Sequence, residues 1–126
     1  MKKSKDNLIV CKSKQFALRI IKLYRYLSNE KKEYVLSKQL LRSSTSIGAN
    51  VKEAIRGQSK SDFGAKMNIA LKEASESEYW IELLGESEYL SLEETDSILS
   101  DCRELIRLLT SIVNSKNHIQ QQLIMH

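Results

Sequence analysis

The sequence predicts an all-α protein and, within that class, an up-and-down antiparallel four-helix bundle. The 126-residue chain contains no proline and only four glycines, so helix-breaking residues are nearly absent along its whole length. Apolar residues recur at steps of three and four in four separate segments, which is the spacing of one face of an α-helix. Short polar stretches separate these segments, and short links join antiparallel neighbours in a bundle. We therefore expect a single domain over residues 1–126, with flexible ends at about residues 1–6 and 118–126.

The first helix is predicted to begin at Asp6 or Asn7, either of which can cap free amides, and to end at about Asn29. Its apolar face consists of Ile9, Phe16, Ile20, Leu23 and Leu27. A polar stretch then predicts a short connection, and the second helix follows from about Glu33 to Arg56. We expect Gly57 to end that helix in the left-handed conformation, which glycine adopts without strain.

The inward face of the second helix carries few large side chains. It consists of Leu36, Leu40, Ser43, Ile47, Asn50 and Ala54. Because half of these residues are small or polar, the helix should pack closely against a neighbour. Asn50 needs hydrogen-bond partners at such a position, and we expect its amide to fix the register between helices. The alternative is that Asn50 and Arg42 contribute to a functional pocket or a ring lumen.

Two capping signals delimit the third and fourth helices. Ser59 and Asp62 have the spacing of a capping box, and Ser91 and Glu94 form a full one. Between them the third helix is predicted to extend just beyond Leu90. Its inward face consists of Phe63, Met67, Ala70, Ala74, Ser77, Ile81 and Leu84, whose small middle can face the small residues of the second helix. The fourth helix presents Ile98, Cys102, Leu105, Leu109 and Ile112, and its signal weakens after Val113.

Charge is distributed unequally along the chain. Residues 1–66 contain 16 Lys and Arg against 5 Asp and Glu, whereas residues 67–126 contain 4 against 11. Opposite halves can meet within one bundle, or the basic half of one copy can meet the acidic half of the next. The competing interpretation is a basic face for RNA or DNA along the first helix, formed by Lys12, Lys14, Arg19, Lys22 and Arg25. There is no recognition motif and no aromatic platform alternating with these cations, so such binding would be weakly sequence-specific.

A second set of residues lies outside the apolar faces and is typical of a subunit interface. The third helix carries Ile69, Trp80 and Leu83 about 100° to 160° from its core seam, beside Glu73. The second helix carries Arg42, Ser46, Ala49, Glu53 and Arg56 beside its inward face. We expect self-association through these flanks, with Arg42 and Arg56 pairing with Glu73 across helices or subunits. The alternative is that Trp80 only covers the edge of its own core.

Residues for catalysis or metal binding are scarce. There is no Gly-rich phosphate loop and no nucleophile elbow, and the only histidines, His118 and His126, lie near the C-terminus. Cys11 and Cys102 lack CxxC spacing and fit a reducing compartment as small core residues. We therefore expect no enzymatic activity, no cofactor and no metal. The longest apolar run near the N-terminus is too short for a signal peptide or membrane span, which predicts a cytoplasmic protein without a membrane partner.

Two segments resemble one bacterial family. Residues 42–53, RSSTSIGANVKE, and residues 69–80, IALKEASESEYW, closely resemble the four helix bundle protein family, which includes proteins encoded in intervening sequences of large-subunit ribosomal RNA genes. The resemblance covers about residues 8–116. It implies an up-and-down bundle assembled into a ring, commonly a homopentamer, with no established enzymatic activity.

A related group, the accessory variability determinant proteins of diversity-generating retroelements, forms a basic pentameric barrel that works with a reverse transcriptase and RNA. The resemblance therefore leaves another protein open as a partner. The motif positions carried over are Arg42, Ser46, Asn50, Glu53, Glu73 and Trp80. One departure is Ala54, where the family usually has glycine; alanine continues the helix there.

Overall fold

Four long helices form the molecule. The computed structural model describes residues 4–57 and 59–125, with side chains described for residues 5–57 and 59–115. The helices are α1 (Ser4–Asn29), α2 (Leu36–Arg56), α3 (Lys60–Glu86) and α4 (Leu92–Met125). Each packs against the next along the chain, and α4 closes the bundle against α1. The predicted all-α, up-and-down antiparallel four-helix bundle is confirmed.

Of the two ends expected to be flexible, residues 1–3 and 126 lie outside the described residues. The described backbone is helical from Ser4 and as far as Met125.

The predicted apolar faces meet in one core. Ile9, Phe16, Ile20 and Leu27 of α1 are buried, as are all the predicted inward residues of α3 except Phe63 and all those of α4. Leu23, Leu36 and Phe63 are partly buried and pack against this core. One buried polar residue of α1, Ser13, is absent from the predicted face; its hydroxyl donates to the Val10 carbonyl at 3.2 Å.

The buried stripe of α2 is rotated relative to the prediction. Its buried residues are Ser37, Leu40, Ser43, Ser44, Ile47, Val51 and Ala54. Val51 therefore occupies the core position expected for Asn50, which is only half-buried. The inward face is displaced towards Val51 and Ser44 and away from Asn50, because burying an isopropyl group is favourable and burying an amide is not.

Glu33 caps α2 from outside the helix, which corrects the predicted start. Its carboxylate accepts hydrogen bonds from the amides of Val35, Leu36 and Ser37, at 2.9, 3.0 and 2.7 Å. These amides belong to the first turn, where no carbonyl of the helix itself can accept them. The residue predicted to be the first of the helix thus supplies its cap, and the helix begins at Leu36.

The ends of α2 and α3 correct two predictions. Gly57 is extended, with φ −64° and ψ 153°, so it is not a left-handed stop. The left-handed residues among those described are Lys32 (φ 56°) and Glu88 (φ 69°), in the first and third connections. Glu88 turns the chain after Glu86, and α3 ends there rather than beyond Leu90. The amides of Tyr89 and Leu90 both donate back to the Leu84 carbonyl, at 3.0 and 3.3 Å.

Both capping signals are confirmed as helix starts. The Ser59 hydroxyl accepts from the Asp62 amide at 3.1 Å, and α3 begins at Lys60. At the start of α4 the bonds are reciprocal: the Ser91 amide donates to the Glu94 carboxylate at 2.9 Å, and the Glu94 amide donates to the Ser91 hydroxyl at 3.1 Å. In the part of the chain that the structure describes, no helix is both long and apolar enough to cross a membrane.

Candidate functional site

The outward sides of α2 and α3 form the most distinctive surface of the molecule. We call this surface the α2–α3 face and define it by Arg42, Ser46 and Glu53 of α2 and by Ile69, Glu73, Glu76, Tyr79 and Trp80 of α3. Ile69 is 41% exposed and Tyr79 is 54% exposed, although both are large hydrophobic residues. The two tilted rings of Tyr79 and Trp80 lie side by side, with centroids 5.2 Å apart.

A small polar network holds the centre of the α2–α3 face. The Arg42 guanidinium of α2 pairs with two carboxylates of α3, Glu73 at 3.4 Å and Glu76. The Trp80 indole N–H donates to the same Glu76 carboxylate at 3.0 Å. Arg42, Glu73 and Trp80, identified from sequence, are thus brought together, and the expected pairing of Arg42 with Glu73 across helices is confirmed.

Trp80 contacts both the core and the polar network around Arg42. Its ring is half-buried and packs against the core, so it covers the edge of its own bundle. At the same time, its N–H bond to Glu76 fixes the orientation of the outward edge of the indole. Of the α2–α3 face, Ile69 and Tyr79 are the large hydrophobic side chains that remain exposed.

Asn50 does not have the expected role of fixing register between helices. Its side-chain amide donates to the Ser46 carbonyl at 2.8 Å, one turn earlier in α2. No other hydrogen bond is recorded for this side chain among the described residues. Because the bond lies within one helix, Asn50 bridges no helix pair, and Ser46 contributes only its backbone to the contact.

Arg56 lies too far along α2 to join the network around Arg42. Fourteen residues separate the two arginines, which corresponds to about 21 Å along a helix. Pairing of Arg56 with Glu73 within one chain is therefore excluded. Arg56 instead lines a shallow groove of about 430 Å³ with Ala49, Lys52, Glu53 and Lys66, which we call the basic groove. Within it the Lys66 ammonium lies 3.5 Å from the Glu53 carboxylate.

The five α1 cations do not form one face. Lys12 pairs with Glu104 of α4 at 3.1 Å, and Arg19 pairs with Asp101 at 2.7 Å. Arg19 also donates to the Ser97 hydroxyl at 2.9 Å. The other three, Lys14, Lys22 and Arg25, are exposed and have no ion-pair partner within residues 5–57 and 59–115. The basic and the acidic half of the chain thus form some of their ion pairs inside one bundle, where α1 packs against α4.

Cys102 has the environment of an inert thiol. It is fully buried, its S–H donates to the Ala74 carbonyl at 3.3 Å, and burial raises its pKa to about 12. The expectation that Cys102 is a core residue is confirmed. Cys11 is exposed, which corrects the same expectation for that residue, because it lies on the outward side of α1.

Comparison with known proteins identifies the family. A family model described as 23S rRNA-intervening sequence protein matches residues 5–111. The chain belongs to the 23S rRNA-intervening sequence protein family. A crystal structure of an S23 ribosomal protein family member of unknown function from Bacteroides thetaiotaomicron is also similar, with a TM-score of 0.86 and 55% sequence identity over 87% of this chain and 98% of that one. Among curated proteins none matches.

Among the described residues, a pair of serines makes a buried polar contact between α2 and α3. The hydroxyls of Ser43 and Ser77 lie 2.8 Å apart, and each serine is fully buried. Each hydroxyl is also within bonding distance of a carbonyl of its own helix, that of Leu40 for Ser43 and that of Glu73 for Ser77. Both residues lie on the predicted small seams, but spacing alone did not distinguish this pair from Asn50 as the interhelical polar contact.

Proposed function

We propose that this protein is a non-enzymatic scaffold that self-associates through the α2–α3 face into a homo-oligomeric ring. The observation that carries the proposal is the exposure of Ile69 and Tyr79 on the α2–α3 face, where Tyr79 lies beside the already oriented Trp80 indole. Large apolar and aromatic side chains are the residues that interfaces bury at their centres, and an oriented ring loses little conformational entropy on binding. A pentamer is the ring size that the family resemblance favours.

The Arg42 network supports the same proposal. Its three α3 members occupy one side of that helix, and the arginine reaches them from α2, so the two helices would present one continuous surface. Each exposed ion pair contributes about 0–1 kcal/mol, which is too little to explain the arrangement by stability of the single chain. A fixed pattern of charges around an apolar centre is suited to selecting one partner surface.

Light scattering coupled to size exclusion tests the proposal. The wild type at tens of micromolar should have a mass that is a multiple of 14.5 kDa, and the multiple gives the ring number. Replacing Ile69 and Tyr79 together by serine should lower that mass while helicity stays unchanged. Trp80→Ala should lower it too, with some loss of stability because the ring also packs on the core.

The matched control replaces Leu8 and Leu18 by serine. These residues are 42% and 53% exposed, close to the values of Ile69 and Tyr79, and they lie on α1, which is not part of the α2–α3 face. The control should keep the wild-type mass. A monomeric wild type, or equal loss of mass in both double variants, would contradict the proposal.

A second candidate function is binding of RNA or DNA. The observation that favours it is the set of exposed, unpaired cations on α1, namely Lys14, Lys22 and Arg25. Such cations attract phosphates without reading sequence. Binding should be strong at low salt and lost at high salt, and absence of binding at low salt would remove this candidate.

A further inference from the structure

We propose that the basic groove is a binding site for the phosphate backbone of single-stranded nucleic acid. This inference rests on the second candidate function and places the contact away from α1, where that candidate located it. The basic groove is lined by three cations and one carboxylate. Neither Lys52 nor Arg56 has an ion-pair or hydrogen-bond partner within residues 5–57 and 59–115.

Ion pairs occupy part of the positive charge, because Lys12, Arg19, Arg42 and Arg103 each pair with carboxylates of α3 or α4. Among the described residues, exposed cations without an ion-pair partner lie along α1 and where α2 ends and α3 begins, including Lys60 of the first α3 turn. At the α2–α3 end two of them, Lys52 and Arg56, line one groove, so a polyanion can contact both at once.

At the opposite end carboxylates are in excess. The third connection and the adjoining helix ends carry Glu86, Glu88, Glu93, Glu94 and Asp96, all exposed, and the first connection at the same end adds Glu30, Lys31 and Lys32. Because antiparallel helices place these connections at the end of the bundle remote from the basic groove, the two ends of the molecule differ in charge. A field of this kind turns the basic end towards a polyanion and raises the rate of productive encounter.

The shape of the basic groove favours a phosphate backbone over an acidic peptide. Lys52 and Arg56 are four residues apart on α2, so they are displaced by about 6 Å along the helix, comparable with the separation of successive phosphates in a strand. The arginine fork can bond two phosphate oxygens at once. Ala49 is the apolar lining residue and is too small to form a pocket for a large apolar anchor, which a tightly bound peptide would require.

A ring would multiply the site. Cyclic symmetry places every copy of a given groove on one circle around the axis, so one strand could contact several copies in turn. Linked contacts raise affinity without any new type of interaction. None of the described residues that line the basic groove is aromatic, so bases would not stack on them and binding should tolerate any sequence.

The test compares two double variants of equal charge change, with a labelled oligouridylate as the probe. Lys52→Gln with Arg56→Gln neutralises the basic groove, and Lys14→Gln with Arg25→Gln neutralises two exposed, unpaired cations of α1. Between about 50 and 200 mM salt, the groove variant should bind more weakly than the wild type. The slope of log affinity against log salt concentration should decrease in magnitude by about 1.4 for each bound protomer, because each of the two lost phosphate contacts contributes ~0.7. The α1 variant should retain most of its affinity.

Three binding results would overturn the proposal: no binding by the wild type at low salt, equal or greater loss in the α1 variant, or equal competition by polyglutamate. Masses measured on the same samples separate this inference from self-association. A groove variant that also loses assembled mass would assign the groove to a subunit contact and overturn the proposal. A monomeric wild type whose binding depends on the groove would support it and contradict the ring.

Discussion

Gly85 allows α3 and α4 to approach one another closely. A Cβ built at this position would lie 2.6 Å from both Cγ2 and Oγ1 of Thr95, which is itself largely buried near the start of α4. The sequence presented Gly85 only as an interruption of a helical pattern. The contact that explains it is made by a residue ten positions later, in another helix, and spacing within α3 carries no information about it.

We predict that Gly85→Ala is destabilising relative to Gly64→Ala. Both replacements gain the same intrinsic helix propensity, but a Cβ at Gly64 meets nothing within 4 Å. The difference between the two variants in free energy of unfolding should therefore report overpacking, at about 1–3 kcal/mol. Urea denaturation followed by circular dichroism measures it. Adding Thr95→Ala should recover most of the loss, and equal stability of the two alanine variants would refute the close contact.

The two cysteines should differ sharply in reactivity. Cys11 is exposed, whereas Cys102 is buried and its pKa of about 12 keeps it protonated at neutral pH. We expect a thiol reagent such as DTNB to titrate one thiol per folded chain and two per unfolded chain. Cys11→Ser should abolish the fast reaction. Rapid reaction of that variant in the folded state would contradict the burial of Cys102.

At the scale of elements, the sequence predicted best the helix boundaries that depend on local capping signals. The starts of α3 at Lys60 and of α4 at Leu92 each depend on a serine hydroxyl that accepts a hydrogen bond from the amide three residues later. This spacing is local, so it can be recognised in the sequence. The end of α3 depends on Glu88 adopting φ 69°, which no property of glutamate favours. The burial of Leu90 and the turn around it depend on packing against the rest of the fold, which spacing along the chain does not show. The prediction therefore placed the end of α3 too late.

Glu88→Gly should stabilise the protein. A non-glycine residue in the left-handed conformation costs about 1–2 kcal/mol, and glycine would remove this cost. Part of the gain is lost again, because glycine loses more conformational entropy on folding. We expect a net gain of about 1 kcal/mol or less in the free energy of unfolding. Glu86→Gly provides the contrast, because Glu86 is helical and glycine there should destabilise the end of α3. A loss of stability in both variants would contradict the role of the left-handed turn.

The cap of α4 should make stability depend on acid pH. Hydrogen bonds from the Ser91 amide and hydroxyl hold the pKa of Glu94 below its usual range. A carboxyl with a lowered folded pKa stabilises the protein above its unfolded pKa and loses this effect as pH falls through the folded one. Glu94→Gln can accept a hydrogen bond without a charge. The stability advantage of wild type over this variant should therefore shrink as pH falls below the ordinary glutamate range, as measured by urea unfolding, and a constant difference would refute the assignment.

At the scale of the whole molecule, the fold could be predicted almost completely from helical spacing and the lack of proline. The candidate site could be predicted only in part. Arg42, Glu73 and Trp80 meet because they lie on facing flanks of neighbouring helices, which periodicity can indicate. Arg56 does not meet Glu73, because the pairing of antiparallel helices depends on which residues lie level with one another. Charge totals likewise could not tell which α1 cations face α4.

The order of the helices has a consequence for the speed of folding. Each helix packs chiefly against the next along the chain, so most native contacts form between segments close in sequence. Such low contact order is associated with folding in microseconds to milliseconds. With no proline in the chain, no X–Pro bond can introduce a step lasting tens of seconds. Stopped-flow refolding should show the bundle forming in one fast phase, and any slower, concentration-dependent phase would then report the meeting of chains.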